Sequence, residues 1–99
     1  MNIEDTFRYN ELFDLYESLL TEKQREVFRF YYHDDLSYQE IAEHLEISRA
    51  GVYDNLSRTL KLLEEYELKL GLMGLVRDLQ SLNIDLVNEI LDRYSRRKL

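Results

Sequence analysis

Arg49, Tyr53, Asn55, Arg58 and Lys61 lie close together in the second half of the chain, and their side chains share one kind of chemistry. Guanidinium and ammonium groups hold phosphates. Arginine and asparagine also match the hydrogen-bonding edges of bases, and a tyrosine ring lies against a sugar or a base. Placed on a helix, the segment turns Ala50, Asp54, Ser57, Arg58 and Lys61 away from an apolar side that contains Val52. Gly51 falls at the edge of that outward face, and Arg49, Tyr53 and Asn55 fall on its flanks. Asp54 works against a polyanion here. It precedes Arg58 by one helical turn, so the two form an exposed ion pair worth only a few tenths of a kcal/mol, about 0.2–0.5. A plain solvated helix face is the alternative reading of these same residues. Nothing else in the chain suggests a reaction. There is no nucleophile beside a base, no phosphate loop and no convergent pair of carboxylates. The chain has no cysteine, and His33 and His44 lack metal-ligand spacing, so neither a metal nor a cofactor is expected.

The element that carries these residues is the run from Ser37 to Leu56, which reads as a short helix, a tight turn and a second helix. This is the helix-turn-helix layout that places a helix in a DNA groove. Ser37 and Glu40 have capping-box spacing and open the first helix, which extends to Leu45. Ala42 is the small residue needed where the two helices cross, with Ile41, Leu45, Ile47 and Val52 at the surrounding core offsets. Glu46-Ile47 forms the turn. The turn position that usually takes glycine holds Glu46, at a cost of about 1 kcal/mol if its backbone is left-handed. Ser48 caps the second helix. Its late apolar position falls on Asn55, and Leu56 takes over the packing. An ordinary helical hairpin within a bundle is the alternative for the whole run.

With no proline and only three glycines, the remaining residues also predict helix. Tyr9, Leu12, Phe13, Tyr16, Leu19 and Leu20 mark a first amphipathic helix from about Glu4 to Leu20. Thr21 and Gln24 form another capping box, opening a helix to about Tyr32 that buries Val27, Phe28 and Tyr31. The Asp34-Asp35 pair ends it, because acidic side chains sit poorly at a negative helix C-terminus. The helix from Ser48 continues to Leu70 on a stripe of Val52, Leu56, Leu60, Leu63, Tyr66 and Leu70, with Gly71 after its end. Two shorter patterns follow: Leu72, Leu75, Val76 and Leu79, then Leu86, Val87, Ile90, Leu91 and Tyr94, separated by Ser81-Leu82-Asn83. They are too apolar to stand in solvent, so they must cover the core, a partner or a second copy of the chain. The expected architecture is all-α without a wing. Residues 1–71 form a helix-turn-helix domain with its motif at 37–56 and its long helix at 48–70. Residues 72–99 form a helical extension for packing or dimerisation.

Charge divides the chain unevenly. Residues 1–47 hold 4 Lys/Arg against 12 Asp/Glu, whereas residues 48–99 hold 9 against 8. Any nucleic acid must therefore meet the second half, since the first repels phosphate. The terminal Arg96-Arg97-Lys98 either complements a helix dipole or holds a phosphate. The tyrosines, eight in all, sit at core-like spacing but can also stack on unpaired bases. No apolar run approaches the roughly 18 residues of a membrane span, and the polar, acidic N-terminus is unlike a signal peptide. The chain is expected to be cytoplasmic.

The segment Leu12 to Arg25, with Leu36-Ser37, Glu40-Ile41-Ala42, Ser48-Arg49 and Val52-Tyr53-Asp54-Asn55, closely resembles the YlxM family. These are small helix-turn-helix proteins of Gram-positive bacteria and mycoplasmas, similar to region 4 of bacterial sigma factors. The resemblance covers about residues 7–70, and Val52-Tyr53-Asp54-Asn55 is its most specific part. Ser57 stands where members often carry a basic residue, and the segment after Gly71 does not align. The resemblance implies a sigma-region-4-like core and a role beside the signal recognition particle, with the particle's RNA, its GTPase or both as partners. Regulation by binding duplex DNA is the older inference from the motif. A third reading is a protein-only adaptor whose acidic first half docks a basic partner. A homodimer through the long helix and the extension is expected in each case.

Overall fold

Capping hydroxyls decide where the helices of this chain begin. The computed structural model describes residues 3–95, and side chains from Asp5. Among these residues the order is α1 (Ile3–Tyr16), α2 (Glu22–Tyr32), α3 (Tyr38–Leu45), α4 (Arg49–Leu70), α5 (Leu72–Ser81) and α6 (Asp85–Ser95), with no strand. Before α2, the Thr21 hydroxyl accepts from the Gln24 N–H while the Gln24 side chain accepts from the Thr21 N–H. Ser37 and Glu40 repeat the exchange before α3. Ser48 Oγ accepts from the Gly51 N–H at 2.9 Å before α4. Each satisfies donors that the first helical turn leaves without a partner.

The first helix stops earlier than its apolar pattern suggests. It ends at Tyr16, and Glu17–Leu19 tighten into a 3₁₀ turn before Leu20 goes extended. The Arg25 guanidinium donates back to the carbonyls of Glu17 and Leu20 at 3.4 and 3.3 Å, partners that a continuing helix would have used internally. Leu19 is consequently exposed while Leu20 is buried. Helix α2 ends as the acidic pair requires, with Asp35 taking a left-handed backbone at φ 56°. Val27 and Phe28 are buried, but Tyr31 only partly so.

One core runs through all the helices up to α5. Leu12, Phe13 and Tyr16 of α1 meet Val27 and Phe28 of α2, Ile41 and Ala42 of α3, and Val52, Leu56 and Leu63 of α4. Phe13 stacks on Phe28 with centroids 4.1 Å apart. Along α4 the buried stripe departs from the expected one. Thr59 is fully buried, its hydroxyl satisfied by the Asn55 carbonyl at 2.9 Å, whereas Leu70 is exposed. Arg8 of α1 grips Glu64 of α4 with two parallel bonds of 2.7 and 2.6 Å.

Gly71, at φ 67°, ends α4 and begins α5 with no residue between. The core nevertheless continues across it, because Met73 is buried with the residues above. Arg77 of α5 bonds Glu11 of α1 at 2.6 Å. Helix α6 turns back at Asn83, φ 52°, and packs mainly on α5, leaving Leu82, Ile84, Leu86, Ile90 and Tyr94 exposed. The protein is therefore elongated, 47 × 26 × 24 Å. The expected basic tail at Arg96-Arg97-Lys98 lies outside the described residues. No helix among those described is long and apolar enough to cross a membrane.

Candidate nucleic-acid interface

The turn between α3 and α4 has the geometry that the motif demands. Glu46 adopts φ 54° and ψ 43°, the left-handed conformation. The next N–H, of Ile47, closes back on the Ala42 carbonyl at 3.1 Å, which is the six-residue closure that reverses a chain at a helix end. Ile41, Ala42 and Val52 are buried around this crossing, and Leu45 and Ile47 pack partly against them. Gly51 has little room, since a Cβ there would lie 3.1 Å from Ser48 Oγ. A side chain at this position would press on the hydroxyl that caps α4.

The five candidate residues do not form one patch. Arg49 and Tyr53 are exposed on the flank of α4 that faces α3. With Tyr38 and Ala50 they line a shallow cavity of about 430 Å³. Arg58 and Lys61 are exposed on the outward face, where Arg58 Nε pairs with Asp54 Oδ2 at 3.1 Å. Asn55 lies roughly 160° around the helix from Tyr53. It is half-buried, and its Oδ1 is enclosed without a hydrogen-bond partner. Its amide oxygen thus faces inward, at the packing position that its neighbour Leu56 also serves.

Tyr38 is the residue that sequence reasoning passed over. It begins α3 and falls three and seven residues before Ile41 and Leu45, so it reads as part of the core stripe. In the fold it sits at the edge of that stripe, with its ring at right angles to Tyr53 (83°, centroids 5.8 Å apart). Burial, and then a hydrogen bond with Tyr31, push its phenol pKa above the ordinary value of 10.0. The acidic side of the protein lies beyond it. There Asp35 and Glu40 border a second cavity of about 470 Å³ together with Thr6, Tyr31, Tyr32, Leu36 and Ser37. The Glu40 carboxyl is held below its ordinary range, first by the Ser37 N–H and then by its hydroxyl.

A capped second helix, set against a first by a left-handed turn and presenting arginine and lysine outward, defines a helix-turn-helix protein. The chain belongs to the UPF0122 family, described as "putative helix-turn-helix protein, YlxM / p13 like", which matches residues 3–99. That match includes α5 and α6, so the family likeness extends beyond residues 7–70. The chain is 56% identical over 72 residues to a UPF0122 protein of Halalkalibacterium halodurans, covering 73% of this chain and 66% of the relative. It is 54% identical over 80 residues to a UPF0122 protein of Bacillus cereus strain AH187, covering 81% and 73% respectively. A UPF0122 protein of Bacillus thuringiensis subsp. konkukian shows the same 54% over 80 residues.

Proposed function

We propose that this chain is a non-enzymatic, cytoplasmic accessory factor of the signal recognition particle, contacting the particle's RNA, its GTPase or both through the exposed residues of α4. The link to the particle comes from the family resemblance. The observation that favours it over a conventional duplex reader is the Asp54–Arg58 pair at 3.1 Å. That pair leaves Arg49, Lys61 and Lys69 as the exposed cations of α4 with no ion pair among the described residues. Three such cations, spread along 22 residues of a chain of net charge −7, are few for tracking a duplex, where each phosphate contact adds about 0.9 to the slope of affinity against salt. Arg49, Tyr53, Arg58 and Lys61, with Asn55 at the far flank, are the proposed contacts.

A titration at two salt concentrations against particle RNA, the GTPase and duplex DNA tests this reading. Binding to the RNA or the GTPase is expected. Sequence-specific duplex binding that weakens on Arg58→Ala overturns it in favour of a DNA-binding regulator, the reading that the intact turn geometry supports. GTPase binding without any nucleic-acid binding favours the adaptor that docks through the acidic first half.

The same proposal includes a homodimer. The exposed Leu75, Leu82, Leu86, Ile90 and Tyr94 of the α5–α6 hairpin support it, since such apolar clusters mark contact surfaces. Sedimentation at micromolar concentration is expected to give a dimer that Leu86→Asp dissociates. A wild-type monomer refutes this part of the proposal.

A further inference from the structure

The rings beside α4 continue far into the protein. Phe13, buried in the core, stacks on Phe28, which stacks on Tyr32 with centroids 4.5 Å apart. Tyr32 meets Tyr31 edge-on at 5.0 Å, and Tyr31 stacks on Tyr38 at 5.2 Å with their planes 17° apart. Tyr38 then meets Tyr53 at right angles. Six rings thus lead without a break from the core to the surface of the second helix of the motif, ending at a tyrosine that is 58% exposed. The last two meet at an open corner.

We propose that the corner of Tyr38 and Tyr53, with Arg49 beside it, is a stacking site for an unpaired nucleobase of a structured RNA. The inference rests on the reading that α4 contacts RNA, and it names what is read on the flank beside α3. Three features recommend a base as the occupant. The walls of this shallow, open depression are aromatic rings and Ala50, surfaces on which a flat base stacks. Arg49 is exposed at the first turn of a 22-residue helix and is without an ion pair among the described residues, so a cation and the positive helix end lie where the attached phosphate would sit. Tyr38 stacks on Tyr31 and offers its ring to Tyr53, so one wall is ordered before binding, which limits the side-chain entropy lost on contact. A paired duplex does not offer base faces, whereas loops and bulges of RNA do. The same geometry explains how a face with few cations can hold RNA, since stacking supplies affinity that charge does not.

The full-length chain is titrated with an RNA hairpin carrying 2-aminopurine in its loop, and with a blunt RNA duplex of the same stem sequence. Stacking in the corner changes the 2-aminopurine fluorescence on binding, and the hairpin binds more tightly than the duplex. Tyr53→Leu weakens hairpin binding about 5- to 100-fold, abolishes the fluorescence change and leaves duplex affinity unaltered. Tyr53→Phe keeps both properties, because the ring remains. Circular dichroism of the variants confirms that helix content is intact, as an exposed position allows. If Tyr53→Leu binds the hairpin like the parent while Arg58→Ala or Lys61→Ala weakens it, the corner is refuted and RNA contact by α4 stands. If Tyr53→Phe loses binding as Tyr53→Leu does, the phenol rather than the ring is read, and stacking is refuted. If the parent binds neither RNA, the corner and the RNA reading fail together.

Discussion

Replacing Glu67 with alanine removes the clamp that joins α5 to the core. Gly71 begins α5 but has no side chain to cap it, so the donors of the first turn look elsewhere. Glu67, one turn before the end of α4, supplies the acceptor. Its Oε1 takes bonds from the Tyr16 hydroxyl at 2.7 Å and the Met73 N–H at 2.9 Å, and its Oε2 takes one from the Gly74 N–H at 3.1 Å. Tyr16, almost completely buried, accepts in turn from the Leu72 N–H at 3.1 Å. Hydrogen bonds to a charged group contribute about 1.5–3 kcal/mol each, but three that share one carboxylate do not add, and the amides near the surface regain water. The expected loss for Glu67→Ala is therefore about 2–4 kcal/mol, most of it from the stranded Tyr16 hydroxyl. For a domain of this size that lowers the melting temperature by roughly 10–25 °C. Glu67→Gln keeps one acceptor but turns an amide donor toward a backbone N–H, so it costs about 1–2 kcal/mol.

The pH dependence carries the same signature. Burial pushes the Glu67 carboxyl up, but the bonds from Tyr16, Met73 and Gly74 outweigh it and leave the group below its ordinary 4.5. A lowered native value means the stabilisation is complete above that ordinary value and disappears as the pH falls through the native one. Urea denaturation at pH 7 and pH 4, for parent and Glu67→Gln, measures this, and the parent should lose more stability on acidification than the variant. Hydrogen exchange at the amides of Leu72, Met73 and Gly74 should quicken in both variants. A loss below about 0.5 kcal/mol in Glu67→Ala, with exchange at those amides unchanged, would refute the clamp.

Other outcomes follow from the same structure. The Tyr16 phenol is pushed up to about 12, first by burial and then by the Glu67 carboxylate, so its contribution is intact below the ordinary 10.0 and vanishes as the pH rises through about 12. Spectrophotometric tyrosine titration against Tyr16→Phe isolates that late step. Glu46→Gly relieves a left-handed backbone at φ 54° and is expected to raise stability by about 0.5–1 kcal/mol in thermal melts, net of the extra freedom of the unfolded chain. Leu63→Ala empties a fully buried site on α4 and should cost about 2–5 kcal/mol by urea denaturation. Asn55→Leu replaces an enclosed amide oxygen that has no partner, and a gain of about 1 kcal/mol is expected from the same assay.

The helix starts were legible because they are local. Thr21, Ser37 and Ser48 each lie three residues from the N–H group they accept from, so identity and spacing alone specify each cap. The left-handed turn at Glu46 was legible for the same reason, once Ala42 and Val52 had placed the crossing around it. The end of α1 was not, because it depends on an Arg25 side chain returning from the next helix. Along α4 the apolar stripe predicted Leu70 as packed, yet burial there is decided by which neighbours exist. Helix α5 departs at Gly71 and Leu70 is uncovered, whereas Thr59, about three turns earlier on α4, is fully buried.

The candidate interface shows the same division. Residue type and helical spacing alone brought out Arg49, Tyr53, Asn55, Arg58 and Lys61, because the side-chain chemistry of a helix face is local. Their grouping is tertiary. Tyr38 joins Arg49 and Tyr53 only because α3 crosses α4 at Ala42, and Asn55 turns inward because of what packs beside it. Sequence by itself determined the helices, their caps and the motif, since these depend on contacts within a turn or two of chain. Only the tertiary structure decided where the core ends, how Glu67 and Tyr16 hold α5, and which rings meet at the surface. Those features join residues as much as 56 positions apart, a separation at which one-dimensional periodicity carries no information about distance.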